Sequence, residues 1–337
     1  MVAFSRKIAI DLGTANSVVY ELRRGIILNE PTVVAVTVDD KKVVAVGNSA
    51  KEMLGRTPSN IQASRPMRDG VIADYAATEA LLKYFIDEAC GSSRLMRPEV
   101  MVSVPAGITS VESRAVLDAT ASAGARTAYL IPEPLAAAVG AGIPISEARG
   151  NMIVNLGGGT TEVAMISLGG IVAWGSVRVA GNSLDEAIIQ HLKREYNLTV
   201  GEQTAEAVKL EIGSALPLEE NLRREVRGRD SISGLPRVVE VTSHEITRAL
   251  ERPLLEMVQA IEGVLEEIPP ELASDVIDRG IVISGGTALL RGLGSFITRS
   301  TGVPSHVAED SILCVVKGCA EAIRRLGMFR KNLTMRL

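Results

Sequence analysis

Aromatic side chains are scarce in this chain: 4 Phe, 5 Tyr and 1 Trp among 337 residues, or 3%. Its core must therefore be aliphatic, built from Val, Ile, Leu, Ala and Met. Cysteine is equally thin. Cys90, Cys314 and Cys319 are odd in number and form no CxxC, which excludes a disulfide scaffold and fits a reduced, cytoplasmic compartment. The three histidines, His191, His244 and His306, lie far apart without ligand spacing, so they read as structural or solvated rather than as a metal motif. An excess of positive charge is missing too: the net charge is −4, which argues against nucleic acid as a main partner. No apolar run approaches the ~18–20 residues of a membrane span, and no signal-peptide pattern opens the chain.

What is present is length and aliphatic content. A chain of 337 residues, 46% hydrophobic, buries a sizeable core and suggests about two domains. Its most informative stretch is Met152 to Ala164. An apolar run, Met152 to Leu156, meets Gly157, Gly158 and Gly159, then Thr160 and Thr161, then a second apolar run through Leu168. That pattern is strand, tight turn, strand, with a tip that has no side chains. Residues without Cβ let backbone N–H groups converge on a ligand, and an anion is the natural guest. A plain turn is the alternative.

A second copy changes the weight. Ile8 to Tyr20 aligns with it without a gap: Asp11 falls on Asn155, Leu12 on Leu156, Gly13 on Gly157, and Asn16-Ser17 on Thr160-Thr161, with Thr14 and Ala15 at the tip. Such a repeat implies two similar domains facing each other, with two hairpins closing on one polyphosphate. A third glycine turn, Gly285-Gly286-Thr287-Ala288, follows the apolar run Ile281 to Ile283. By backbone chemistry it also suits close approach of an anion or base.

Between these turns, β-rich segments alternate with helical stripes, which argues for an α/β architecture. Leu81, Leu82, Phe85, Ile86 and Ala89 mark a helix over Thr78 to Cys90, and a long helix runs from Thr242 or Ser243 to about Glu267. Glu133 sits between Pro132 and Pro134 at a strand-to-helix junction, a rigid place that faces a cleft or simply opens a helix. Glu206 and Lys209, at i and i+3, share a helix face; an exposed salt pair is the bland reading. Residues 217–237, with Arg223, Arg224, Arg227 and Arg229, read as a solvated loop. Ser311 to Leu326 is a closing helix. Leu95 and Met96 lie between Arg94 and Arg97 in a loop, where burial of Leu95 in the core is the ordinary expectation.

The two hairpins resemble the phosphate loops of the actin, Hsp70 and sugar-kinase ATPase superfamily. With Asn29-Glu30-Pro31, the stretch Arg65 to Asp74 and Gly157 to Val163, the chain resembles the bacterial actin MreB family from about residue 6 to about residue 326. The resemblance implies an α/β, actin-like duplicated ATPase fold, two lobes of two subdomains each around a nucleotide cleft. The first lobe would span 1–145, with a small subdomain inserted at about 32–75 and the C-terminal helix of 311–337 returning to it. The second would span 146–310, with a small subdomain at about 182–243.

It also implies roles. ATP or ADP with Mg²⁺ would lie between Gly13 to Asn16 and Gly157 to Thr160, with Asp11 holding the metal through water. Glu133 would orient the water attacking the γ-phosphate, with Thr160 beside it. Glu206 and Lys209 would face the ribose, and Gly285 to Ala288 would back adenine and ribose. Leu95 and Met96 would enter a membrane. The implied protein is a cytoskeletal ATPase that polymerises with itself at the inner face of the cell membrane, alongside transmembrane proteins of the wall-elongation machinery. Two departures stand out: Asn155 where the family has Asp, and Thr287 where it usually has Gly. The first leads us to expect slowed hydrolysis. An Hsp70-type chaperone ATPase, which needs a peptide-binding domain, and a small-molecule kinase, which needs a base at a second substrate pocket, are the alternatives.

Overall fold

The computed structural model describes residues 6–91 and 97–336; Leu95 and Met96 lie outside them. Strands β1 (Lys7–Leu12), β2 (Asn16–Glu21) and β3 (Gly25–Pro31) form an antiparallel meander. The chain then makes a small three-stranded sheet from β4 (Val34–Thr37), β5 (Val43–Val46) and β6 (Ile61–Ser64), crossed by helix α1 (Asn48–Met53). Two short strands, β7 (Met67–Arg68) and β8 (Val71–Ile72), lead to α2 (Tyr75–Cys90). The Asp74 carboxylate caps α2 by accepting from the Ala77 N–H at 3.0 Å, and its Leu81, Leu82, Phe85 and Ile86 are buried. Next come β9 (Glu99–Val104), α3 (Ser110–Ser122), β10 (Thr127–Pro132) and α4 (Glu133–Gly140).

The second half repeats the plan. β11 (Asn151–Leu156), β12 (Thr161–Ser167) and β13 (Gly170–Val177) are again an antiparallel meander. Helix α5 (Gly181–Tyr196), β14 (Leu198–Thr199), α6 (Glu202–Ile212), β15 (Arg223–Asp230) and β16 (Pro236–Thr242) follow. The amphipathic α7 (Ser243–Glu267) begins with a capping box between Thr242 and Glu245. Then come α8 (Pro270–Arg279), β17 (Ile281–Ser284), α9 (Leu293–Thr301), β18 (Ser305–Val307), α10 (Cys314–Arg324), α11 (Leu326–Phe329) and β19 (Thr334–Arg336).

The duplication seen in the two hairpins extends to whole sheets. The first is ordered β19-β10-β9-β1-β2-β3 and the second β13-β12-β11-β17-β18. In each, a three-stranded meander is continued by two parallel strands: β1 beside β9 beside β10, and β11 beside β17 beside β18. Parallel neighbours need crossover helices, so both sheets are covered and their strands read as nearly unbroken apolar runs. The core is aliphatic, as the composition required; among the bulkiest wholly buried side chains Phe85 is the one aromatic. Between the sheets, α4 and α10 meet backbone to backbone: a Cβ on Gly140 would overlap the Cys314 carbonyl, and one on Gly318 the Ala136 carbonyl.

Two expectations need correction. Residues 217–237 are not one solvated loop, since β15 and β16 pair from Arg223↔Thr242 to Arg229↔Pro236. Three of the four arginines that suggested solvent have partners nearby: Arg223 pairs with Glu240 and Arg224 with Glu211, both at 2.7 Å, and Arg229 Nε donates to the Gly234 carbonyl at 3.0 Å; Arg227 is exposed. The closing helix is also interrupted. A 3-10 turn at Ser311–Leu313 precedes α10, and the chain ends as β19 along β10, Leu130 opposite Thr334.

Candidate functional site

A cavity of about 450 Å³ opens between the two large sheets. Both hairpin tips line it, through Gly13 to Asn16 and Gly157 to Thr160, together with Asp11, Glu133 and Asn155. The tips touch across it: a Cβ on Gly158 would overlap the Ala15 methyl, and one on Gly159 would lie 2.8 Å from Thr14 Oγ1. Nothing bulkier than glycine fits there.

Four of the tips' carbonyl oxygens, which would repel a phosphate, are engaged by donors. Thr32 Oγ1 donates to the Gly13 carbonyl at 2.7 Å, and the Thr32 N–H donates to that of Ala15 at 2.9 Å. On the other hairpin Thr287 Oγ1 donates to the Gly157 carbonyl at 2.7 Å, while the Asn182 N–H reaches that of Gly158 at 2.8 Å. Helix α5 opens at the cavity with Gly181 and Asn182, adding the positive end of its dipole.

Beneath the tips lies a buried polar cluster. Ser103 Oγ donates to Asp11 Oδ1 at 3.0 Å, and Ser284 Oγ donates to Asn155 Oδ1 at 3.0 Å. The other end of the Asn155 amide, Nδ2, donates to Glu133 Oε2 at 3.4 Å. Glu133 is the first residue of α4, placed there by β10 and the flanking prolines. Burial raises the Asp11 carboxyl to about 6, against the pull of the Ser103 hydrogen bond. Burial, then the negative charges of Glu162 and Asp11, push Glu133 well above the usual carboxylate range. Glu162, wholly buried on β12, is raised to about 7 by burial; it accepts from the Ala106 N–H at 3.3 Å. Carboxylates driven toward neutrality in a cleft favour a cation or a proton-bearing guest.

The wider end of the cavity is formed by α5, α6 and the turn after β17. Lys209 Nζ pairs with Asp185 at 2.8 Å and donates to the Gly181 carbonyl at 3.0 Å. Burial lifts Asp185 to about 6, with Lys209 opposing it. Glu206 reaches across to α1, pairing with Lys51 at 2.9 Å, while Gln203 Nε2 donates to the Lys51 carbonyl at 2.8 Å. Glu206 and Lys209 both line the cavity, each engaged elsewhere rather than with the other. Gly285, Gly286 and Thr287 line it as well, but Ala288 turns into the core of the second sheet. Apolar walls come from Leu210, Leu289, Leu290, Ile312 and Val315. Sequence reasoning missed these, and also Ser103 and Lys51, because their places depend on which strands and helices become neighbours. Among the described residues no group of three or more His, Cys, Asp and Glu side chains is arranged to bind a metal directly.

Two sheets of one plan, each offering a glycine hairpin to a shared cavity, define an actin-like protein. Solved structures have this form: MreB5 of Spiroplasma citri bound to ADP superposes with a TM-score of 0.92 at 34% identity, covering 97% of this chain and 99% of that one. The same protein bound to AMPPNP gives 0.91, covering 97% and 98%. The chain belongs to the MreB/Mbl protein family, whose profile matches residues 5–331. The cell shape-determining protein MreB of Escherichia coli (strain K12) is 51% identical over 331 residues, 96% of this chain and 95% of that protein.

Proposed function

We propose that this chain is an ATP- and ADP-binding actin-like protein that polymerises with itself and determines cell shape at the cytoplasmic face of the membrane. The observation that carries the reading is the pair of Cβ-free tips meeting over buried carboxylates. Backbone N–H groups there suit the β- and γ-phosphates, and Asp11 suits a hydrated Mg²⁺, which keeps several of its waters. The apolar end, with Leu210 and Leu289, suits a base, and Lys209 with Glu206 suits the ribose. The relatives' names, cell shape-determining proteins, and the nucleotides named with the Spiroplasma structures support the same assignment. Lobe boundaries near 145 and 310, with the C-terminal segment returning to the first lobe, belong to this reading.

Membrane attachment through Leu95 and Met96, and pairing with transmembrane proteins of wall elongation, are its outer parts. No helix among the described residues is long and apolar enough to cross a membrane. When bound, Mg-ATP would supply the phosphoanhydride to be cleaved. The chain's own part is to hold the phosphates on glycine backbone and to place Glu133 and Thr160 at the water. Asn155 in place of a carboxylate leads us to expect slow turnover. Electron microscopy and sedimentation of the protein with Mg-ATP, with and without liposomes, test the reading. Filaments that need nucleotide support it, and phosphoryl transfer to a small-molecule acceptor without filaments overturns it.

A further inference from the structure

We infer that Ser284 is a positioning residue for Glu133, acting through the side-chain amide of Asn155. This rests on the nucleotide-cleft reading and adds a residue to it. An asparagine amide has a donor end and an acceptor end of nearly equal shape, so its orientation is set by its neighbours. Here Ser284 Oγ lies 3.0 Å from Asn155 Oδ1, and its O–H donates to it. With the acceptor end taken, Nδ2 is left to face Glu133 Oε2 at 3.4 Å. With the amide flipped, Ser284 would accept from the NH₂ group and turn its own hydrogen to the Val154 carbonyl, 3.5 Å away, a longer bond than the 3.0 Å one to Oδ1, and Asn155 would face Glu133 with an oxygen. The shorter bond from one hydroxyl thus favours this polarity of the chain Ser284–Asn155–Glu133.

The backbone holds this arrangement rigidly. Asn155 and Ser284 are direct register partners on the parallel strands β11 and β17, and both are buried. The first lobe contains the matching contact. Ser103, next to Val102 on β9, donates to Asp11, next to Ile10 on β1, also at 3.0 Å, and Val102 and Ile10 are register partners. There the acceptor is a carboxylate, which has no donor end and can be held but not polarised. The second lobe has an amide in the equivalent place, so the same serine contact gains a directional consequence. Glu133 stands where the two halves meet and receives that direction.

The test uses the full chain and the variants Ser284→Ala, Asn155→Ala and their double mutant. The first readout needs no nucleotide. In protein labelled with ¹⁵N-asparagine, the Asn155 side-chain NH₂ pair is assigned by its loss in Asn155→Ala. In Ser284→Ala we expect this pair to shift or broaden while the backbone spectrum and melting temperature stay near those of the parent. The second readout is phosphate release from Mg-ATP in single turnover, beside the affinity for a fluorescent ATP analogue. Loss of position by a fraction of an ångström should slow release by about 10- to 100-fold. Affinity should hold within about twofold, since the glycine backbone is untouched. In the Asn155→Ala background, Ser284→Ala should add nothing, because the serine acts only through the amide.

An unmoved NH₂ pair in Ser284→Ala overturns the inference. So does a multiplicative effect of the two substitutions, which would mean that Ser284 merely supports the strand. A parent chain that binds no nucleotide overturns the cleft reading instead. The amide signal then still decides whether Ser284 orients Asn155.

Discussion

Gly158 and Ala15 belong to different lobes, yet a Cβ on the first would overlap the methyl of the second. A substitution at Gly158 therefore acts first on the opposite hairpin and only then on a phosphate between them. Gly158→Val should pry the tips apart and reduce affinity for a fluorescent ATP analogue at least ~10-fold, by loss of one well-made contact set. Gly201→Ala, where a Cβ meets nothing within 4 Å, is the matched control and should bind as the parent does.

Asn155→Asp replaces the donor facing Glu133 with a carboxylate oxygen. Without a divalent cation the variant should melt below the parent, because like charges are brought together in a buried site. With Mg-ATP the added charge should raise phosphate release by about 10²-fold, on the scale of one well-placed electrostatic contact. Filament lifetime should shorten with it. Melting curves with and without Mg-ATP, phosphate release and filament turnover are measured together; no change in any of them makes Asn155 a neutral replacement.

Glu162 gives a pH dependence with a defined sign. Its carboxyl rises from 4.5 to about 7 on burial, so the folded protein holds the proton more tightly than the unfolded chain does. The resulting stability is complete below about pH 4.5 and is lost as pH climbs through about 7. Glu162→Gln stays neutral throughout. It should match the parent near pH 4 and exceed it near pH 8 by up to about 3 kcal/mol in chemical denaturation, each pKa unit being worth about 1.4 kcal/mol.

The Lys51–Glu206 pair spans the cleft mouth with both side chains about a third exposed, 30% and 37%. Such a pair is worth about 0.2–1 kcal/mol. Lys51→Ala should speed release of bound nucleotide by a few-fold, about two to five, and the difference should vanish at high salt. Stopped-flow displacement at two salt concentrations measures it.

Leu95 and Met96 supply at most roughly 1.5–3 kcal/mol each on burial in lipid, with about 1 kcal/mol more from each neighbouring arginine near anionic lipid. One subunit is then a weak binder, and a filament multiplies the contact. Liposome pelleting of Leu95→Ser/Met96→Ser should fall while filaments persist in micrographs. Equal pelleting would shift attachment to another part of the chain.

Local pattern carried the reading where function rests on consecutive residues. The two hairpins, the turn at Gly285 and the position of Glu133 at the start of α4 are all legible as short strings, and the structure gathers them at one cavity. Ser103 was invisible because nothing in Glu99 to Val104 says that β9 will lie parallel to β1. Residues 217–237 misled for a different reason. Three of the four arginines that suggested a loop find cross-strand or nearby partners, so this charge marks a paired hairpin. Ala288 was grouped with the glycines beside it, but its methyl packs into the core while Thr287 spends its hydroxyl on Gly157.

The contact between α4 and α10 is closest where Gly140 passes Cys314 and Gly318 passes Ala136, with no Cβ between the two backbones. Leu135, Val316 and Cys319 belong to the one buried cluster that surrounds this crossing. Backbones in direct contact set the spacing of two helices, so the crossing is a pivot: the helices can turn about it but cannot approach. One side of that pivot carries Glu133, and the other carries Val315 on the cavity wall. A small rotation about it would therefore change the reach of the carboxylate and the grip on the ligand's far end in the same movement.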